Sequence, residues 1–386
     1  MKEPMMSAET ILTNARIVCR DRIVEHGTLV VRDGLIAELD ETRSSHPAAF
    51  DCEGDYLLPG LVEIHTDNLE KHFIPRPGVL WPSSLGAVLG HDLQMAGAGV
   101  TTVFDAISLG IYQGKHERRE ILGRSIEALV EAQAAELTRA EHFIHLRCEI
   151  SDPAMMEIFE PHAGHPLVKL VSVMDHTPGQ RQWWDISKYV QYHKGENWSE
   201  TELAERLATL KRHQSQHAEP QRRAVVDFCR AHGIPLASHD DATPEHIAEA
   251  VESGIAIAEF PLSLEVAGLA RDSNMKTVMG APNVVRGGSH SGNMSAINCA
   301  EAGLLDGLSS DYVPAALLMA AFILARRLKL ALNDTVAMVS ANIAEMVGLD
   351  DRGRIAPGLR ADLVRVRDMA DCPVVRQVWR GGERVA

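Results

Sequence analysis

The chain has 386 residues, with 38 Lys and Arg against 53 Asp and Glu, a formal net charge of −15. Its 45 % hydrophobic and 24 % charged residues are ordinary globular composition, which excludes wholesale disorder and leaves room for one large domain plus a smaller one. The acidic balance speaks against a nucleic-acid or membrane surface, but not against an anionic small substrate met by local cations.

Residues 11–58 read as short strands. ILTNARIV, TLVVRDGLIAEL and YLLP are rich in β-branched and apolar residues, and Asp33-Gly34 is a hairpin turn signal. No basic segment followed by a long apolar run opens the sequence, so no secretory signal is expected. The stretch 353–386 has the same strand-rich texture, and the two ends predict one small β-sandwich domain from residues 1–58 and 350–386.

Residues 59–349 alternate strand-like and helix-like segments. The strand candidates are Leu61–Thr66, Val100–Ala106, Phe143–Ile150, Leu167–Asp175, Ile234–Ser238, Ile255–Phe260, Thr277–Ala281 and Gly307–Ser310. The longest helical patterns are Arg118–Glu141 and Ser199–His232. This alternation predicts an α/β fold, a (β/α)8 barrel of the TIM type, with a doubly wound sheet as the alternative. The connection Thr177–Gly233 exceeds one crossover helix. Its residues 177–198 gather Trp183, Trp184, Tyr189, Tyr192 and Trp198, which suits either a lid or a surface hairpin packed on the barrel.

The longest apolar run, Val313–Ala325, is shorter than the ~20 residues a bilayer span requires and reads as a buried helix. Six cysteines (Cys19, Cys52, Cys148, Cys229, Cys299 and Cys372) are scattered without a CxxC pair, so a reducing, cytoplasmic setting is expected.

Barrels carry their chemistry at the C-terminal ends of strands. The first strand ends His65-Thr66-Asp67, with His65 and Asp67 on one face of an extended chain. Further candidates end in Arg147-Cys148-Glu149, Asp175-His176, His239-Asp240-Asp241 and Asp311. A single such residue is ordinarily a hydrogen-bonded core group. A converging set repels or goes unsatisfied unless a cation holds it. Nitrogen and oxygen donors without thiolates suit Zn²⁺, Mn²⁺ or Fe²⁺, and Cys148 reads as core.

Two segments resemble a known family. PGLVEIHTD at Pro59–Asp67 resembles the first-strand motif of the amidohydrolase superfamily, and GRIAPGLRADLV at Gly353–Val364 its closing segment. Longer blocks at Glu63–Pro82, His145–Ile150, Val171–Gln182, Ala237–Thr243, Met279–Asn293 and Leu308–Ala315 resemble, in order and over nearly the whole chain, the superfamily's triphosphate diphosphatases of phosphonate degradation. The resemblance implies a metal-dependent hydrolase barrel with one or two divalent ions. It implies hydrolysis of a ribose 5-triphosphate bearing methylphosphonate at C1 to the 5-phosphate and diphosphate, ahead of a carbon–phosphorus lyase. On this basis His65, Asp67 and Asp311 are expected on one ion, His176 and His239 on the other and Glu149 between them, with Asp311 also taking the proton from water. The superfamily's usual first motif has a second histidine where this chain has Asp67. It also places its carboxylate, two histidines and last Asp on strands four, five, six and eight, whereas counting here puts Glu149, His176 and His239 on strands three, four and five.

A phosphorylated substrate needs cations and backbone amides. Arg286, Gly287, Gly288, Ser289 and His290 open a glycine loop running to Asn293, a candidate anion cradle, with a flexible loop bearing a surface Arg as the bland alternative. No Gly-Lys-Ser/Thr follows, so it is not a Walker loop. Gln180, Arg181, Lys71 and Arg76 are further candidates, each equally readable as solvated surface. Asp92 is read as capping a helix that starts near His91, and Asp240 or Asp241 as either a contact or a cap before Pro244. No nucleic acid or membrane partner is expected, and a homo-oligomer is left open. The competing readings are a deaminase or cyclic amidase on a small neutral substrate, and a metal-containing scaffold of a carbon–phosphorus lyase assembly.

Overall fold

The computed structural model describes residues 9–110, 117–289, 293–370 and 372–386. The chain begins with strands β1 (Thr10–Val18), β2 (Ile23–Arg32), β3 (Leu35–Asp40), β4 (Phe50–Asp51) and β5 (Tyr56–Pro59). It then lays down β6 (Leu61–Thr66), β7 (Val100–Leu109), β8 (Glu141–Glu149), β9 (Val168–Met174), β10 (Leu236–His239), β11 (Ile257–Glu259), β12 (Lys276–Gly280) and β13 (Gly307–Ser309). It ends with β14 (Leu363–Asp368), β15 (Pro373–Arg380) and β16 (Glu383–Arg384).

The first five and last three strands form one sheet in the order β16-β15-β14-β5-β1-β2-β3, with β4 also on β1. The two ends of the chain meet where β5 pairs antiparallel with β14. Asp33 and Gly34, at φ +51° and +79°, make the tight turn between β2 and β3, whose right-handed twist suits two left-handed residues. A side chain at Gly34 would also come within 2.9 Å of the Gly381 carbonyl.

Strands β6 to β13 pair in sequence order, all parallel. The ring is drawn shut beyond β13: the Asp311 N–H donates to the His65 carbonyl (3.1 Å) and the Asp67 N–H to the Asp311 carbonyl (2.8 Å). Buried Glu63 adds a clasp, accepting the N–H groups of His65 and Ser310, both at 2.6 Å, and burial pushes its carboxyl up to about 8. This closure selects the barrel over the doubly wound sheet. Val62, Phe104, Phe143, Leu170, Ala237, Ile257 and Val278, one from each of seven consecutive strands, form a core closed by Ile343 and Ala344 of the helix Ala341–Met346. Gly307 is needed there, because a Cβ would lie 2.5 Å from Ile343 Cδ1.

The helix expected over Arg118–Glu141 is Glu117–Ala134, and Glu141 already begins β8. The second long helix is Glu200–His232, started by a Ser199/Glu202 capping box and stopped by Gly233 at φ +65°. In the long connection, Trp183 and Tyr189 are buried and gather around His193, while Trp184 and Tyr192 are exposed. Among the described residues no helix is long and apolar enough to cross a membrane.

Candidate metal centre

The C-terminal ends of the barrel strands surround a cavity of about 340 Å³. His65, Asp67, His176, His239 and Asp311 line it, as the strand-end rule predicts, together with Arg286 and Ser289 of the glycine loop. Asp240, Phe260 and Asp311 follow β10, β11 and β13 with φ of +55°, +56° and +54°. Left-handed backbone at three non-glycine residues around one cavity costs about 1–3 kcal/mol each and concentrates at functional sites.

The imidazoles are held from behind by carboxylates. Buried Glu259 takes His65 Nδ1 at 3.0 Å on one oxygen and His239 Nδ1 at 3.3 Å on the other. The two rings stack 5.5 Å apart. A carboxylate accepting from both Nδ1–H groups leaves each Nε2 with its lone pair. Burial pushes both imidazoles down to about 3, reinforced by the nearby Arg147 charge, so both rings are neutral. Glu149 takes His176 Nδ1 at 2.7 Å. Burial opposes charge on that ring, but Glu149 and Asp240 outweigh it and raise His176 to about 9.

One carboxylate oxygen faces the front of two rings. Asp240 Oδ2 lies 3.4 Å from His239 Nε2 and 3.6 Å from His176 Nε2. Two imidazole nitrogens and a carboxylate oxygen, each ring backed by a carboxylate on its other nitrogen, form a donor set suited to a divalent cation. His65, His239 and Glu259 form a second cluster that shares His239.

Several expected roles meet a different arrangement. Glu149, expected between two ions, meets His176 Nδ1 (2.7 Å), the His176 N–H (3.1 Å) and Ser151 Oγ (2.7 Å). Asp67 pairs with Arg147 Nη1 at 2.6 Å. Arg181, expected at the polyphosphate, is buried and committed to Asp241, to Glu249 (3.1 Å) and to the His239 carbonyl (3.2 Å). Asp241 is therefore an ion-pair partner and not a cap. Lys71 donates to the Tyr312 carbonyl at 2.5 Å and lies over its ring, outside the cavity wall. Arg76 is exposed in a turn closed by Val79, and Gln180 lies off the cavity while Gln182 lines it. Gly287, at φ +81°, caps the helix Ala281–Arg286 with Gly288 beyond it, and His290 lies outside the described residues.

Asp92 is not a cap either. Ser83 caps the helix Ser84–Gly97, and Asp92 sits within it, accepting from the Arg139 and Ala140 N–H groups. His91, Asp105 and His142 form a third donor cluster, but Asn68, Asp105 and Asp92 already satisfy their nitrogens.

Asp311 is pushed up to about 7, chiefly by burial and then by the Asp67 charge, with Arg147 and Lys71 pulling it down. A carboxyl that titrates near neutrality beside a cavity is suited to take a proton.

Sequence reasoning missed Glu259, Arg147, Gln182 and Asn283 as site residues. Glu259 was available to the strand-end rule, one residue inside a segment taken to end at Phe260.

The amidohydrolase family model matches residues 56–385. The chain is 44 % identical, over 97 % of its length and 100 % of the relative's, to the alpha-D-ribose 1-methylphosphonate 5-triphosphate diphosphatase of Escherichia coli (strain K12). It is 52 % identical over 50 residues, 13 % of the chain and 9 % of the relative, to an adenine deaminase of Desulfatibacillum aliphaticivorans. Its fold is similar to that of an N-acetylglucosamine-6-phosphate deacetylase from Pasteurella multocida, with a TM-score of 0.65 at 13 % identity over 98 % of this chain and 99 % of the other.

Proposed function

This chain belongs to the amidohydrolase family, and we propose that it hydrolyses alpha-D-ribose 1-methylphosphonate 5-triphosphate to the 5-phosphate and diphosphate. The observation that carries this reading is the 44 % identity along the whole length of a diphosphatase with that substrate in its name. Arg147 and Arg286 offer a polyanion cations in the cavity, beside the carboxylates of Asp67, Asp240 and Asp311, with Gln182, Asn283 and Asn293 also on its wall. Arg147 has a reason in its pair with Asp67, but a neutral substrate gives none for Arg286 on the glycine loop, which disfavours the deaminase and amidase readings.

His176, His239 and Asp240 would hold a divalent cation, with zinc, manganese or iron suiting the donors. When bound it supplies a Lewis acid and brings the pKa of water toward ~7. Glu149 and Glu259 keep the ligand rings in fixed tautomers and orientations. Arg286 draws the phosphate chain into the cavity, and Arg147 meets the negative charge that builds on the phosphoryl oxygens as the anhydride opens. Asp311 accepts the proton lost by water as its oxygen joins phosphorus and the P–O–P bond breaks.

Phosphorus NMR on the metal-loaded protein with this triphosphate tests the reading. Diphosphate and a 5-monophosphate are the expected products. An unchanged spectrum, with metal shown to be bound, returns the chain to the amidase and deaminase chemistry of its family.

A further inference from the structure

A second cavity, of about 610 Å³, adjoins the first, and Tyr312 lines both. Its walls come from the helices Asn68–Phe73 and Ser84–Gly97, the segment between them and the turn after β13. The polar side of this cavity is held in place. Gln94 Oε1 accepts from Asn68 Nδ2 at 2.9 Å and from His72 Nε2 at 3.1 Å. Asn68 Nδ2 also lies 3.0 Å from His91 Nδ1, whose other nitrogen is 2.7 Å from buried Asp105. The His72 ring fits against the second helix because residue 90 is glycine, where a Cβ would lie 3.0 Å from His72 Nδ1. The apolar side is Trp81 and Val313, both exposed.

The two cavities differ in charge. The first carries Asp67, Asp240 and Asp311 alongside its arginines. The second, among the described residues, carries no carboxylate. Burial holds the His72 ring below its ordinary value and neutral, so the Lys71 ammonium is the one formal charge on the wall. Lys71 Nζ spends one hydrogen on the Tyr312 carbonyl at 2.5 Å and lies 5.1 Å from the centre of the Tyr312 ring. An ammonium has three donors, so two remain for a ligand.

The substrate of the proposed reaction is anionic at both ends, with a triphosphate on C5 and a methylphosphonate on C1. The first cavity, about 340 Å³, is at the small end of the ~300–1,000 Å³ of ligand pockets. A sugar bearing three phosphates and a phosphonate overfills it. With the anhydride at Asp311 and the metal-ligating side chains, the C1 end needs a second place for an anion within reach. Tyr312 follows Asp311 in the chain and is the wall the two cavities share. We propose that the second cavity seats the phosphonate-bearing end of the substrate, with Lys71 as its counter-ion and Trp81 and Tyr312 as walls for the methyl group and the sugar. This placement deepens the diphosphatase reading and rests on it.

The metal-loaded protein is assayed for diphosphate release from alpha-D-ribose 1-methylphosphonate 5-triphosphate and from ribose 5-triphosphate. The parent should prefer the phosphonate-bearing compound by about tenfold or more in kcat/KM, and Lys71→Met should remove about tenfold of that ratio, the loss of a charged hydrogen bond. Lys71 also pulls the Asp311 carboxyl down, an effect common to both compounds that the ratio cancels. A ratio unchanged in Lys71→Met would overturn the proposal. Lys71→Arg, which keeps the charge, should restore most of the ratio. A ratio as low as in the Met variant would make Lys71 a strut for Tyr312 and overturn its role as counter-ion. Calorimetry with alpha-D-ribose 1-methylphosphonate 5-phosphate against ribose 5-phosphate reads the same preference without turnover. A binding preference that Lys71→Met abolishes, in a protein that cleaves neither triphosphate, would sustain the cavity's ligand and sink the diphosphatase reading. Equally efficient cleavage of both triphosphates by the parent would keep that reading and sink the cavity's role.

Discussion

Replacing His142 by Gln should convert a pH-dependent barrel into a less stable and less pH-dependent one. His142 sits on β8 with no exposure, its Nδ1 2.8 Å from Asp105 and its Nε2 3.3 Å from Asp92. Both ring nitrogens face carboxylates, so the buried ring is an imidazolium. Burial alone would lower it, but the two carboxylates raise it to about 9. Against an ordinary value near 6.5, that is worth about 3 kcal/mol. The folded value lies above the unfolded one. The contribution is therefore whole below about 6.5, falls by about 1.4 kcal/mol per pH unit above that, and is gone beyond about 9. At the acid end the sign reverses. Burial raises Asp105 and Asp92, but His142 outweighs it and holds both below the usual carboxylate range, so their contribution is lost as the pH falls below about 4. In the Gln variant the carboxylates keep partners: Asp105 keeps His91 at 2.7 Å, and Asp92 keeps Arg139 and two backbone N–H groups. The cost therefore falls at the low end of the ~3–5 kcal/mol of a broken buried pair. Thermal melts from pH 5 to 10 should place the variant roughly 4 °C below the parent at pH 6, with the gap closing toward pH 10. A gap that stays constant from pH 6 to 10 would refute a charged His142.

Three further outcomes follow from the cavity. Glu149→Gln removes the charge behind His176 and should weaken divalent-metal binding by about 10–100-fold, read by competition with a chromophoric chelator; unchanged affinity would refute its orienting role. Asp311→Asn should abolish turnover while keeping bound metal. In the parent, kcat should rise with pH through about 7 as Asp311 loses its proton, and an activity that falls over that range would argue against a base. Arg286→Ala should raise KM for the triphosphate by about tenfold or more with a smaller effect on kcat, and an unchanged KM would return the loop to the surface.

The barrel was legible because its signal is repeated. Each of the eight strand candidates overlaps an observed strand, and the closing hydrogen bonds fall at His65, Asp67 and Asp311, which the strand-end rule had already marked. The cavity-lining histidines were legible for the same reason. What stayed hidden was which nitrogen or oxygen each side chain spends, and on whom. Glu149 and Glu259 look alike as strand-end carboxylates. Arg181 and Arg147 look alike as cations near the site, yet one is sealed against Asp241 and the other lines the cavity. The difference lies in a reach of a few ångströms across strands, which residue type and spacing do not encode. The strand count that disagreed with the superfamily pattern was informative: Glu149 does end the third barrel strand, behind His176.

The ligand geometry then depends on register as much as on residue identity. His239 and Glu259 are paired residues across the parallel strands β10 and β11. Glu149 ends β8 paired with Met174, two residues before His176 on the neighbouring chain segment. Each imidazole of the proposed centre is thus backed by a carboxylate one strand over, at the level where the sheet ends. Side chains alternate along a strand, so a slip of one residue in β11 would turn Glu259 away from both histidines and bring Ala258 or Phe260 to their Nδ1 atoms. That slip would leave both Nδ1–H groups unsatisfied in a buried setting and free the rings to rotate. Glu63, clasping β6 to the segment after β13, fixes the last register in the same way by holding the N–H groups of His65 and Ser310. The barrel's closure and the orientation of its proposed metal ligands therefore both rest on buried carboxylates, Glu63 for the one and Glu149 and Glu259 for the other.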